Sequence, residues 1–267
     1  MSNLLSESLS EITVPLHRMI PFSNVEGIGN RTSIFLQGCS LNCLYCHNPE
    51  TIALHSKESK AVSLQYLFDK VMEAVPFIRG VTVSGGEPTI HYQQLIPLFK
   101  ALKQQNLSCY LDSSGFFDFD KIKELIDVTD KFLFDLKGDG DGLYALCFDR
   151  NNKEGIVDAE KINLRDHIKH SMLTRNLTNL QRLLALDKVE EVRLVLVNQF
   201  FDAKILIQKV AELLKNHSEV TLKIIRMHTK GTRDAKGLEP FMPTVEQTDE
   251  ISNFAKQVGI AKVITIY

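Results

Sequence analysis

Three of the five cysteines in this chain, Cys39, Cys43 and Cys46, fall within eight residues. The C-x3-C-x2-C spacing puts three soft thiolates on one short loop. Spacing this tight does not suit a secreted disulfide framework; it suits a metal or cluster, with the thiols kept reduced as in cytosol. Structural zinc normally takes four ligands, usually as two separated pairs, and Cys109 and Cys147 stand alone in the sequence. A [4Fe–4S] cube takes four thiolates when its work is electron transfer. With three, one iron keeps an open position at which a small molecule can be bound and activated. A zinc site completed by His47 is the alternative.

Short β-branched or aromatic runs recur at 33–36, 80–83, 109–111, 132–134, 192–197 and 221–225, each bounded by Gly, Pro, Asp, Ser or Asn. Helical spacing fills the intervals. Leu64, Leu67, Phe68, Val71 and Met72 form one stripe and Leu95, Leu98, Phe99 and Leu102 another. Ile122, Leu125 and Ile126, then Ile205, Val210, Leu213 and Leu214, continue the pattern. A last helix over 245–258 leads to a terminal run, 263–267. The alternation predicts an α/β fold with a mostly parallel sheet, either a closed or partly open (β/α) barrel or a doubly wound sheet. Two long loops break the rhythm, an expected insertion over 138–172 and a second loop over 227–243.

Polar and glycine-rich groups follow the expected strands. They are the cysteine loop, Ser84-Gly85-Gly86-Glu87-Pro88, Asp112-Ser113-Ser114-Gly115 and Asp135-Leu136-Lys137-Gly138. Arg193 lies in the fifth strand, and Arg226-Met227-His228 follows the sixth. In parallel α/β folds the carboxyl ends of the strands carry the active site. Composition narrows the class further. With 31 Lys+Arg against 33 Asp+Glu, the net charge of −2 gives no electrostatic case for a nucleic-acid or membrane-surface binder. No apolar run approaches the roughly 18 residues of a membrane span, and no secretory signal is visible. A cytoplasmic enzyme is expected.

The segment Gly38-Cys39-Ser40-Leu41-Asn42-Cys43-Leu44-Tyr45-Cys46-His47-Asn48-Pro49 resembles the cluster motif of radical S-adenosylmethionine (SAM) enzymes. More narrowly, it is similar to the activating enzymes of glycyl radical enzymes, of the pyruvate formate-lyase activase type. The aromatic Tyr45 and the His47-Asn48 pair belong to that narrower pattern. Gly-Gly-Glu-Pro, Asp112-Ser113, Asp135-Leu136-Lys137, Arg193 and His228 follow in the family's order. The stretch from Asn24 to Arg31 resembles its V-D-G-P-G-x-R segment, with Glu26 for Asp and Ile28 for Pro. Val197-Asn198-Gln199 stands where the family has Val-Pro-Gly. Segment order is closest to the YjjW-type branch. The 34 residues between Cys46 and Val81 contain no cysteine, so the ferredoxin-like insert of many activases is missing there.

The resemblance implies a single radical SAM domain over 1–267, a partial (β/α)6 barrel with its cluster loop at 38–49. It implies one [4Fe–4S] cluster on Cys39, Cys43 and Cys46, with the open iron chelated by SAM. Cluster-driven cleavage of SAM then gives a 5′-deoxyadenosyl radical that takes hydrogen from a glycine Cα of a partner glycyl radical enzyme. Tyr45, Gly85, Gly86, Asp112, Asp135, Lys137, Arg193 and His228 are the expected cofactor-binding residues. The two glycines allow close backbone approach to the methionyl amine, and Lys137 and Arg193 suit its carboxylate. A monovalent cation beside Asp112 and Asp135 is a further expectation. Glu26 and Arg31 are expected to bind the partner's glycine loop, and a flavodoxin or ferredoxin to supply electrons. Two other readings stand beside this one: a radical SAM enzyme acting on a small molecule, and a non-catalytic zinc- or cluster-binding protein. Two lesser patterns, Asp139-Gly-Asp141-Gly and the His167/His170 pair, read as a plain turn and a solvated helix face.

Overall fold

The computed structural model describes residues 9–148 and 162–267, with side chains in the helix from Ile162 described from Thr174 onward. The stretch 149–161 of the expected insertion, and the side chains of His167 and His170, therefore lie outside the described residues.

Two compact units are present. The first comprises the chain up to Ser40, Glu50–Ser113 and Phe117–Leu133. Its strands are β1 (Thr13–Ser23), β2 (Arg31–Leu36), β3 (Lys60–Ser63), β4 (Gly80–Gly85), β5 (Ser108–Ser113) and the first half of β6 (Lys131–Leu136). The sheet order is β3-β1-β2-β4-β5-β6. Pairing is parallel from β2 to β4 and from β4 to β5, and antiparallel where β1 meets β2 and β3. Helices α1 (Leu64–Met72), α2 (Tyr92–Gln104) and α3 (Lys123–Val128) connect these strands. The Ser63 hydroxyl caps α1 by accepting from the Tyr66 N–H. The α2 stripe, Leu95, Leu98, Phe99 and Leu102, is fully buried, each side chain contributing about 1.5–3 kcal/mol.

The second unit comprises Leu41–Pro49, Ser114–Phe116 and the chain from Phe134. It contains α4 (Gly140–Cys147), α5 (Ile162–Ala185), β7 (Val189–Leu196), α6 (Ala203–Leu214), β8 (Thr221–Arg226), α7 (Ala235–Leu238), α8 (Val245–Gln257) and β9 (Lys262–Ile266). Its sheet runs from the end of β6 through β7 and β8 to β9, with β7, β8 and β9 parallel. A capping box between Thr244 and Gln247 starts α8. The α6 core is Leu206, Ile207, Val210 and Leu214, whereas Ile205 is about half exposed.

The sheet is thus mostly parallel and open, as expected for an α/β fold, and all six expected strands form. Periodicity missed β1 and β3. Prolines at 15 and 21 obscure β1, and Pro21 falls where the pairing register shifts between Ile20 and Ser23, the kind of irregularity at which a sheet tolerates a residue without an N–H. The expected 138–172 insertion begins with helix α4, which supports the cysteine loop (below). The Asp139–Gly142 stretch, expected as a plain turn, is instead the start of that helix, and Asp139 pairs with Lys209 at 2.8 Å.

Candidate active site

In the first unit, fully buried β2 leads into the loop. Gln37 anchors its exit, giving side-chain hydrogen bonds to the carbonyls of Glu50 (2.9 Å) and Ala53 (2.7 Å). The Gly38 and Cys39 N–H groups donate to Thr51 and Ile52 at 2.8 and 3.0 Å. Cys39 therefore leaves the sheet on a backbone held at consecutive residues, and it is half-buried.

Gly85 and Gly86 are required by this arrangement. A Cβ on Gly86 would stand 1.9 Å from the Gly38 oxygen, and one on Gly85 2.3 Å from the Leu36 nitrogen. The Gly86 and Glu87 N–H groups donate to the carbonyls of Leu36 and Gly38. The missing side chains thus serve backbone packing against the entry to the cysteine loop. Glu87, not singled out from the sequence, is buried and accepts from Thr89 and Ser113. Asp112 is half-buried and accepts from the Ser84 hydroxyl at 3.0 Å.

Glu26 is half-buried, and its Oε2 accepts from the Ser23 and Ser33 hydroxyls. Arg31 corrects the sequence expectation. It is 1% exposed and donates to Thr82, Val81 and Ser108 at 2.8–3.0 Å, with its guanidinium 3.6 Å from the Tyr110 ring centroid. A side chain so enclosed builds the sheet and offers no surface to a partner.

In the second unit, helix α4 ends beneath the other two cysteines. Its last carbonyls have no intrahelical partner, and the cysteine loop satisfies them: Asn42 N–H donates to Cys147 (2.7 Å) and Leu44 N–H to Leu146 (2.8 Å). Cys43 is buried and Cys46 half-buried. Cys147, isolated in sequence, is buried and close enough to the Cys43 thiol to act on its titration. Tyr45 is 4% exposed, its hydroxyl 3.9 Å from the Cys147 sulfur. Cys147 and burial push the Cys43 thiol well up, and burial raises Cys46.

Lys137 donates to Asp135 at 2.6 Å and stands 5.9 Å from the Tyr45 ring centroid. Burial opposes the Lys137 charge, but Asp135 and the neighbouring thiols outweigh it, and its pKa lies well above the ordinary value. Arg193 does not stand free either. Glu191, itself buried, takes Arg193 at 2.5 Å and Lys223 at 2.6 Å. Lys223 escaped the sequence reading because its function depends on register: it lies opposite Arg193 across β7 and β8. His228 stacks on His47 at 4.1 Å and 12°, and His47 Nε2 donates to the His228 carbonyl at 3.0 Å. Burial and the His47 charge lower the His228 pKa. Asn176 and Asn179 on α5 donate to the carbonyls of Ser114 (2.7 Å) and Gly115 (3.0 Å), fixing the turn after β5.

The donor set fits a thiolate-bound cluster. Three free thiols share one loop, and Lys137 favours the thiolate at both Cys43 and Cys46. Metal binding must still displace their protons. Among the described residues no three His, Cys, Asp or Glu side chains gather around a point where a single ion could sit, and His47 is engaged with His228. Asp135 and Lys137 together present both signs, which suits a zwitterionic amino-acid moiety such as that of SAM.

Residues 25–137 match the family described as a 4Fe-4S single cluster domain. Among solved structures, the chain shares its fold with SuiB of Streptococcus suis bound to S-adenosylmethionine, at TM-score 0.55 and 12% identity, over 86% of this chain and 48% of that one. It is 29% identical over 225 residues to the pyruvate formate-lyase-activating enzyme of Clostridium pasteurianum, covering 81% of this chain and 83% of the relative. A Haemophilus influenzae protein named for the glycyl-radical enzyme activating enzymes is 66% identical over 259 residues, 97% of this chain and 99% of the relative. Identity of that order along nearly the whole of both chains establishes that this chain belongs to the glycyl-radical enzyme activating enzymes of the radical SAM type.

Proposed function

We propose that the chain works as one radical SAM domain that installs a glycyl radical on a partner glycyl radical enzyme. The seating of Asn42–Cys46 on the end of helix α4, with Lys137 acting on Cys43 and Cys46, carries this reading. With one electron from a reductant, a [4Fe–4S] cluster held by the three cysteines would cleave a sulfonium C–S bond of bound SAM, giving methionine and a 5′-deoxyadenosyl radical able to take hydrogen from a glycine Cα.

Each residue then has a task. Cys39, Cys43 and Cys46 hold the cluster, and Tyr45 packs the loop beneath it. Gly85 and Gly86 keep the backbone after β4 tight against the loop entry. Lys137, balanced by Asp135, and Arg193, balanced by Glu191, bind the methionyl carboxylate. His228 presents its uncharged ring to SAM, and Asp112 binds its polar groups or, with Asp135, a monovalent cation. Glu26 accepts from the backbone of the partner's glycine loop through Oε1, which lies outside its hydrogen bonds to Ser23 and Ser33. A flavodoxin or ferredoxin delivers the electron in the cytoplasm, and the partner is that of a YjjW-type enzyme. Among the described residues no helix is long and apolar enough to cross a membrane.

Anaerobic reconstitution tests the reading. About four irons per chain are expected from a single cube, with SAM cleavage under a strong reductant and a glycyl radical signal on adding the partner. A cluster that cleaves SAM yet leaves every glycyl radical enzyme unmodified would transfer the activity to another substrate.

A further inference from the structure

Two loops of the second unit are joined side by side. His47 meets His228 through the stacked rings and the 3.0 Å hydrogen bond. Five residues on, Arg233 reaches the cysteine loop. One guanidinium nitrogen donates to Asn42 Oδ1 at 2.7 Å, and the other to the main-chain carbonyls of Asn42 (2.9 Å) and Cys43 (3.1 Å). Arg233 is exposed, and an exposed arginine ordinarily keeps its head in water. Here it places a rigid planar fork on two consecutive residues, a geometry a lysine cannot reproduce. The N–H groups flanking Cys43, those of Asn42 and Leu44, are already taken by helix α4. The segment around Cys43 therefore has its donors on one helix end and two consecutive acceptors on one guanidinium.

We propose that Arg233 is a positioning residue for the cysteine loop: it fixes the carbonyls of Asn42 and Cys43, holds Cys43 in place, and ties this loop to the one that carries His228. The role toward a cluster rests on the reading above; the clamp on the loop does not. Arginine at 233 gave no signal in the sequence, since a lone arginine in a polar loop reads as solvated surface. Its partners lie 190 and 191 residues away.

The test has two arms. In iron-free, reduced protein, alkylation of Cys43 is followed by peptide mass spectrometry. Because Cys43 is buried, with the residue 7% exposed, labelling reports opening of the loop. Arg233→Gln should label about tenfold faster, the loss of charge-assisted hydrogen bonds outweighing the freedom regained. Arg233→Lys should behave like the glutamine variant, because it lacks the fork. In reconstituted protein, iron loss to a chelator should quicken by a similar factor in both variants. The cluster potential should move to more negative values in Arg233→Gln alone, because the lysine keeps the nearby charge. Wild-type labelling rates in Arg233→Gln would overturn the clamp, and an unmoved potential together with unchanged iron loss would overturn its role toward the cluster. If the wild-type chain takes up no four-iron cluster, the functional reading fails while the alkylation arm still decides the clamp. If the glutamine variant does not fold, Arg233→Lys carries both the labelling and the iron-loss comparisons.

Discussion

The amide of Asn42 donates to the carbonyl of Cys147 across 2.7 Å, so the loop that carries the clustered cysteines also caps a helix. Each structure completes the other: the helix end supplies acceptors that would otherwise be orphaned, and the loop gains fixed donors. Cys147 is buried beside Cys43 as a consequence, which makes it the first residue to compare with the expected ligands.

Alanine at Cys39, Cys43 or Cys46 should abolish the iron–sulfur absorbance, whereas Cys147→Ala and Cys109→Ala should retain about four irons, as one cube requires. Burial pushes the Cys109 thiol up to about 12, which keeps it protonated and inert. Each of these two truncations removes one buried sulfur and should cost about 1 kcal/mol in thermal unfolding. Iron loss in Cys147→Ala would make that thiol a ligand and refute the three-cysteine assignment.

Lys137→Ala should weaken SAM binding about tenfold or more, as loss of a charged hydrogen bond does, with cluster absorbance intact; equilibrium binding to the reconstituted protein measures it. The same residue predicts a pH dependence. Its folded pKa lies well above the ordinary lysine value of 10.5. A raised pKa in the folded state means that the stabilisation is complete below the unfolded value and is lost as pH rises through the higher folded one. Urea titrations should therefore show an alkaline decline beginning above pH 10.5 that Lys137→Met flattens.

Gly86→Ala should disturb the loop without touching a cysteine. Its new methyl would lie 1.9 Å from the Gly38 oxygen, and overpacking of this kind costs about 1–3 kcal/mol or more. A lower melting temperature and incomplete cluster assembly are expected. Wild-type values for both would show that the backbone relaxes freely.

Glu26→Ala should lose activation of the partner while uncoupled SAM cleavage persists, since the change lies outside the cluster and cofactor residues. Loss of both activities together would return Glu26 to the fold. Arg31→Ala is the contrast. It strands several buried acceptors, each costing about 1–3 kcal/mol, so circular dichroism should report general destabilisation and no selective loss of partner activation.

Local sequence was enough for the six expected strands, for helices α1, α2, α3, α6 and α8 and for the chemistry of the cysteine loop, but not for α4 and α5, which stand where an insertion loop was expected to begin and end. Apolar periodicity and thiol spacing are properties of neighbouring residues, and they survive without knowledge of the fold. Whether a charged side chain is free, paired or buried is settled by distant residues, and there the chain was opaque. Arg31 reads like a surface residue beside Glu26, yet the strands carrying Thr82 and Ser108 enclose it. Arg193 looks like a lone cation until β8 brings Lys223 opposite it and both meet Glu191. The seating of the Asn42 amide on the Cys147 carbonyl and the reach of Arg233 to Asn42 depend on contacts more than a hundred residues long. Tertiary packing alone decided them, because a hydrogen bond is satisfied by position in space and carries no mark in the order of the residues.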